Sequence, residues 1–155
     1  MFVTDEPFVA KQFGVETVTK LISDSGWNPY KVIFASTNFL KEHPAAAHAF
    51  VLASLRGWAD YMQSDPGPAN KLIASLNQQL DPAFLGFTRE AMQTYHIVEG
   101  IPGSGQTLGA IDRGRIEREI AALHDLGLTT HTFPYDRAVA ESALPSAQEI
   151  AAATR

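Results

Sequence analysis

Val32-Ile33-Phe34-Ala35, closed by Ser36-Thr37, decides how the rest of the chain is read. Four apolar residues in a row, β-branched and aromatic among them, suit a strand covered on both faces. The run therefore predicts a buried strand. Upstream of it the sequence has the same texture. Phe2–Thr4 reads as the end of a strand, and Val15–Ile22 as a second extended piece before the turn-rich Ser23-Asp24-Ser25-Gly26 and the segment Trp27-Asn28-Pro29-Tyr30. Between them Pro7 opens a short helix through Gln12, which Gly14 stops.

Downstream the pattern changes. Ser36 or Thr37 caps a helix running towards His43, and Pro44 begins the longest helix, to about Gln63. Ala47, Phe50, Val51, Leu55, Trp58, Tyr61 and Met62 recur at the spacing of one helix face, which predicts their burial. Asp65-Pro66 and Asp81-Pro82 each set a capping carboxylate before a first-turn proline, so each predicts a helix start. Gly100–Gly109 reads as a flexible connection. Asp112 or Gly114 leads into a helix with Ile116, Ile120 and Leu123 inward, capped by Gly127, and the Ala-rich tail from Pro145 forms a last helix or frays. The expectation is an α/β fold with a strand-rich segment over 1–36 and a helical region over 37–155.

With 45% apolar and 19% charged residues, the composition is that of a globular domain. The net charge of −5 and the lack of any Lys/Arg cluster argue against nucleic acid as a partner. The absence of cysteine excludes disulfides, thiolate metal sites and a cysteine nucleophile. No run reaches the roughly 18 apolar residues of a spanning helix, and the first residues show no signal peptide.

Several motifs resemble a known family when taken in order. They are Phe2-Val3-Thr4-Asp5-Glu6-Pro7-Phe8-Val9-Ala10, Gly14, Ser23-Asp24-Ser25-Gly26-Trp27-Asn28-Pro29-Tyr30, Val32–Ser36 with Phe39–Pro44, Ala49-Phe50-Val51 and Arg56-Gly57-Trp58. Together they resemble the periplasmic substrate-binding proteins of nitrate, sulfonate, taurine and thiamine-pyrimidine importers, the thiamine-pyrimidine precursor branch above all. The likeness covers most of Phe2–His96 and continues weakly to Arg118.

The resemblance implies the C-terminal part of a type II periplasmic-binding-protein fold, closing on a small heteroaromatic ligand. It also implies a periplasmic or lipid-anchored extracytoplasmic place and an ABC permease as partner. Family members are about twice this length, and the half that this chain does not match supplies much of the ligand site. Carried over residue by residue, the likeness makes Glu6 an acceptor for ligand N–H groups, Thr4 a second polar contact and Phe2 an aromatic against a flat ligand. A carboxylate suits an aminopyrimidine and repels nitrate or a sulfonate. Its structural alternative is a first-turn acid favouring the following helix. Tyr30, with Trp27 and Asn28, is a pocket-type residue whose alternative is a loop anchored by its rings. An apolar strand without its neighbours invites another chain, which predicts a homo-oligomer or domain-swapped dimer.

Other chemistries find little support. Gly100-Ile101-Pro102-Gly103-Ser104-Gly105-Gln106-Thr107 follows the phosphate-loop pattern except that Gln106 replaces the lysine, so nothing delivers positive charge to the phosphates. Ser104 lacks the Gly-x-Ser-x-Gly elbow, and Glu117 and Glu119 diverge on their helix. His43, His48, His96, His124 and His131 show no metal-ligand spacing. No cofactor is expected. A thiamine-pyrimidine synthase of the same fold would be the enzyme alternative, but its cysteine-rich motif has no counterpart in this chain. A non-binding interaction domain is the other alternative.

Overall fold

A computed structural model describes residues 2–155, and it overturns the α/β expectation. Among the described residues there are eight α-helices, two short 3-10 turns at Ile22–Ser25 and Glu141–Ala143, and no β-strand. The three predicted strands fail alike. Phe2–Thr4 enters a turn that leads into a helix, and neither Val15–Ile22 nor Val32–Ala35 pairs with anything to form a ladder. The physical reason is that a strand exists only through a partner, because its N–H and C=O groups point sideways out of the segment. Val32, Ile33 and Phe34 are 58%, 56% and 92% exposed, where burial on both faces was expected.

The helices lie close to their sequence signals. Helix α1 spans Glu6–Gln12 with Pro7 in its first turn, and Gly14 at φ 70° ends it. There the Val15 N–H reaches back to the Ala10 carbonyl at 3.0 Å, the six-to-one bond that satisfies an orphan helix-end acceptor. Helix α2 spans Thr37–Glu42 with Ser36 Oγ accepting the Phe39 N–H at 3.2 Å. Helices α3 (Pro44–Gln63), α4 (Gly67–Leu76), α5 (Pro82–Thr94) and α6 (Arg113–Asp125) follow, then the short α7 (Tyr135–Ala138) and α8 (Ala147–Ala153).

The two Asp-Pro signals diverge. Asp81 caps α5 by accepting the Phe84 N–H at 2.7 Å. Asp65 instead accepts the Gly67 N–H at 2.9 Å in a tight side-chain turn, with Pro66 already helical in φ and ψ, so α4 starts without a side-chain cap.

The chain divides into two units: Met1–Lys20, Leu55–Leu108 and Thr154–Arg155 form one, Leu21–Ser54 and Gly109–Ala153 the other. The first is held by α5. Phe8 of α1 meets Phe84 edge-on at 5.4 Å and Phe87 at 5.5 Å. Arg89 donates to the Tyr61 and Met62 carbonyls at 2.9 and 2.8 Å, capping the C-terminus of α3 with a positive charge, where the helix dipole favours it. Leu55, Ala59, Met62, Leu85 and Ala91 are its buried apolar residues. The face predicted for α3 is thus partly corrected: Leu55 and Met62 are buried with Ala59, while Phe50 and Trp58 stay exposed.

In the second unit, α6 is the hub. Asp112 caps it through the Arg115 N–H at 2.5 Å, and Gly127 at φ 70° closes it. Arg113 bonds Asp136 and Glu141 at 2.9 and 2.8 Å and lies 3.9 Å from the centroid of the buried Tyr135 ring. Helix α8 is ordered by a reciprocal cap. Glu149 Oε2 accepts the Ser146 N–H at 2.9 Å while Ser146 Oγ accepts the Glu149 N–H at 3.3 Å.

Candidate functional site

The residues assigned to ligand binding fall into both units: Phe2, Thr4 and Glu6 in the first, Tyr30 in the second. The first three share one turn. The Phe2 carbonyl accepts the Asp5 and Glu6 N–H groups at 3.1 and 3.3 Å, and the Phe2 N–H donates to Glu6 Oε2 at 2.5 Å. That N–H holds the Glu6 carboxyl below its ordinary range, so the group is an anion and an acceptor at neutral pH. An ionised carboxylate has about four lone-pair directions, so one bond leaves it able to accept others.

Phe2 is 57% exposed beside it, whereas Thr4 is buried. The Thr4 carbonyl accepts the Thr88 hydroxyl at 3.0 Å, which ties the turn to α5. Glu6 has the helix-start role weighed for it in the sequence. It is a first-turn acid of α1, and its carboxylate is held in a defined position.

Tyr30 is engaged within its own unit. Its hydroxyl accepts the Asp112 N–H at 3.2 Å, and the Arg115 guanidinium lies 3.6 Å from its ring centroid. Arg115 also donates to the Asn28 carbonyl and to Glu119 at 3.3 Å. The loop Trp27–Tyr30 is thereby fastened to the first turns of α6.

The glycine-rich segment is knit and not a loose connector. Ser104 Oγ donates to the Ile101 carbonyl at 2.6 Å and accepts the Gln106 N–H at 3.2 Å, so the hydroxyl that invited a hydrolase reading is spent on a turn. Gly100 has φ 81°, and a Cβ there would lie 2.8 Å from the Gln106 carbonyl oxygen. Only glycine admits both that conformation and that approach.

Among the described residues, no group of three or more His, Asp or Glu side chains is placed to hold a metal ion. Nor is any helix long and apolar enough to cross a membrane. No protein-family model, curated protein or solved structure matches the chain.

Two structural features carried no reading in the sequence analysis, the Arg89 clamp and the cap of α8. Arg89 carries no local signal, because its partners are carbonyls 25 to 28 residues away. The cap of α8 was legible as Ser146-Ala147-Gln148-Glu149, a capping box in plain order.

Proposed function

We propose that this chain is the C-terminal part of a solute-binding component of a bacterial ABC importer. In this reading it takes a small heteroaromatic amine of the thiamine-pyrimidine precursor type and works outside the cytoplasmic membrane with a permease. The ordered motifs over residues 2–96 support it, and one geometric observation carries it. An ionised Glu6, held by the Phe2 N–H at 2.5 Å, stands on the same turn as an exposed aromatic ring. Exocyclic amines need acceptors and flat rings need an apolar face, and this turn offers both. Catalysis is not part of the proposal.

The test is a thermal-shift titration with a 4-aminopyrimidine, methanesulfonate and nitrate. A ligand that binds the native state raises Tm progressively with its concentration. The aminopyrimidine is expected to raise Tm, the two anions to leave it unchanged, and Glu6→Gln to reduce the shift. Equal shifts with all three ligands, or none with any, would overturn the reading.

A second reading, self-association, rests on a different observation. The chain exposes 11167 Å², whereas two wholly separate globules of half its mass would together expose roughly 9,200 Å². The surplus of roughly 2,000 Å² per chain, if covered by a second copy, puts the pair within the range of an obligate dimer. We propose that Val32–Ala35, apolar and without a ladder, pairs with its counterpart in that copy. Light scattering at high concentration is expected to give a dimer, and Phe34→Ser a monomer. A monodisperse monomer of the unaltered chain would refute it.

A further inference from the structure

The crossing at Gly100 builds something that neither the importer reading nor the self-association reading uses. Because residue 100 passes against Gln106, the segments Val98-Glu99 and Thr107-Leu108 come side by side. Together with Trp58, Met62 and Gln63 from the last turns of α3 they line an open cup of about 210 Å³ within the first unit. This is smaller than the roughly 300–1,000 Å³ of pockets for drug-sized ligands, so the cup fits a fragment of about ten non-hydrogen atoms.

Its chemistry has one sign. Trp58, Met62, Val98 and Leu108 supply an apolar and aromatic lining, and among the described residues no Lys, Arg or His lines it. The Trp58 ring stands perpendicular to that of Tyr61 at 6.1 Å, and Trp58 remains 41% exposed. The polar members are Glu99, Gln63, Thr107 and Thr154. Glu99 brings a carboxylate, and the Gln63 amide nitrogen donates to the Thr154 carbonyl at 3.2 Å, leaving the amide oxygen as that side chain's other polar end. An indole beside a carboxylate attracts a cation through its ring quadrupole and through charge-assisted hydrogen bonding together. An anion finds no donor of positive charge here.

We propose that this cup is a binding site for a small organic cation, of the aryl-amidinium or aryl-ammonium class, with its apolar body against Trp58 and Met62 and its N–H groups towards Glu99 and Gln63. Gly100 is its keystone, since any side chain there drives the two halves of the loop apart. The glycines that mimic a phosphate loop thus shape a site of the opposite charge preference.

Benzamidine is the probe, with benzamide and benzoate as neutral and anionic isosteres. Titration is followed by Trp58 indole and Gln63 side-chain amide NMR shifts on the whole chain. Benzamidine is expected to bind with roughly millimolar affinity, as suits a ligand of this size. Benzoate should bind at least about tenfold more weakly, and Glu99→Gln should cost benzamidine about tenfold while abolishing the preference. Glu99 is exposed, so this variant keeps the fold; Trp58→Leu provides a second loss of affinity. Equal binding of benzamidine and benzoate, shifts confined to Trp27, or an unchanged affinity in Glu99→Gln would each overturn the site. Glu6 is not part of the cup, so this result and the aminopyrimidine titration can fail separately.

Discussion

Residues 15–36 and the helical stretch from Pro44 to Thr94 make an instructive pair. Ten of the 22 residues in 15–36 are apolar, the same proportion as the 45% of the whole chain, yet none of the ten is buried. In the helical stretch Ala47, Leu55, Ala59, Met62, Leu85 and Ala91 all reach a core. Hydrophobicity alone therefore does not separate the two. A helix closes its backbone bonds four residues away and can then turn one face inward. A β-prone run must first find a distant partner for its backbone, and until it does its side chains have nothing to pack on.

The largest test of this contrast is a matched pair of truncations. Leu55→Ala, at a buried site, is expected to lower unfolding free energy by about 3 kcal/mol. Phe34→Ala, which removes a larger side chain, is expected to change it by less than about 0.5 kcal/mol in dilute protein. Urea denaturation of both variants measures the difference. A large cost for Phe34 would mean that the segment packs after all and would break the comparison.

Arg89→Met comes next. It keeps the stem but removes the guanidinium from the Tyr61 and Met62 carbonyls, and a loss of about 2 kcal/mol is expected for charge-assisted bonds of this kind. Loss of hydrogen-exchange protection confined to the end of α3 and the middle of α5 would locate the effect.

The two Asp-Pro starts give a smaller and sharper test. Asp81→Ala is expected to cost about 1 kcal/mol, because the Phe84 N–H loses its acceptor. Asp65→Ala should cost clearly less, since its carboxylate accepts the N–H of the first residue of α4 in an exposed local turn and makes no side-chain cap. Equal losses by urea denaturation would show that the dipeptide, and not the geometry, sets the energy.

The smallest effect is in pH. The Ser146 N–H, then the Ser146 hydroxyl, then His48 at 3.1 Å bring Glu149 from an ordinary 4.5 down to about 2. A carboxyl with a depressed folded pKa stabilises the native state above its ordinary value, and this contribution fades as pH falls from about 4.5 towards 2. Helix α8 is therefore expected to loosen over that window. Glu149→Gln should flatten the acid limb of a circular-dichroism pH titration, and an unchanged limb would show that the cap contributes nothing there.

Much of the helical framework was legible in advance, and for the same reason throughout. Ser36, Pro44, Asp81, Asp112, Gly14 and Gly127 act on backbone groups within a turn of themselves, so a local reading finds them. The candidate binding turn was half legible. Glu6 could be named, but its bond to the Phe2 N–H and the burial of Thr4 depend on how the chain folds back and on α5.

By itself the sequence determined where helices start and stop, that thiolate chemistry is absent, and that the glycine-rich loop has no lysine for phosphate. Tertiary structure alone decided that Val32–Ala35 forms no strand, that Arg89 clamps α3, that Tyr30 is tied to α6, and that the loop at Gly100 closes into an acidic aromatic cup. The division follows the range of the interactions. Caps and turns are settled among neighbours in the chain, whereas ladders, clamps and cups require groups that only folding brings together.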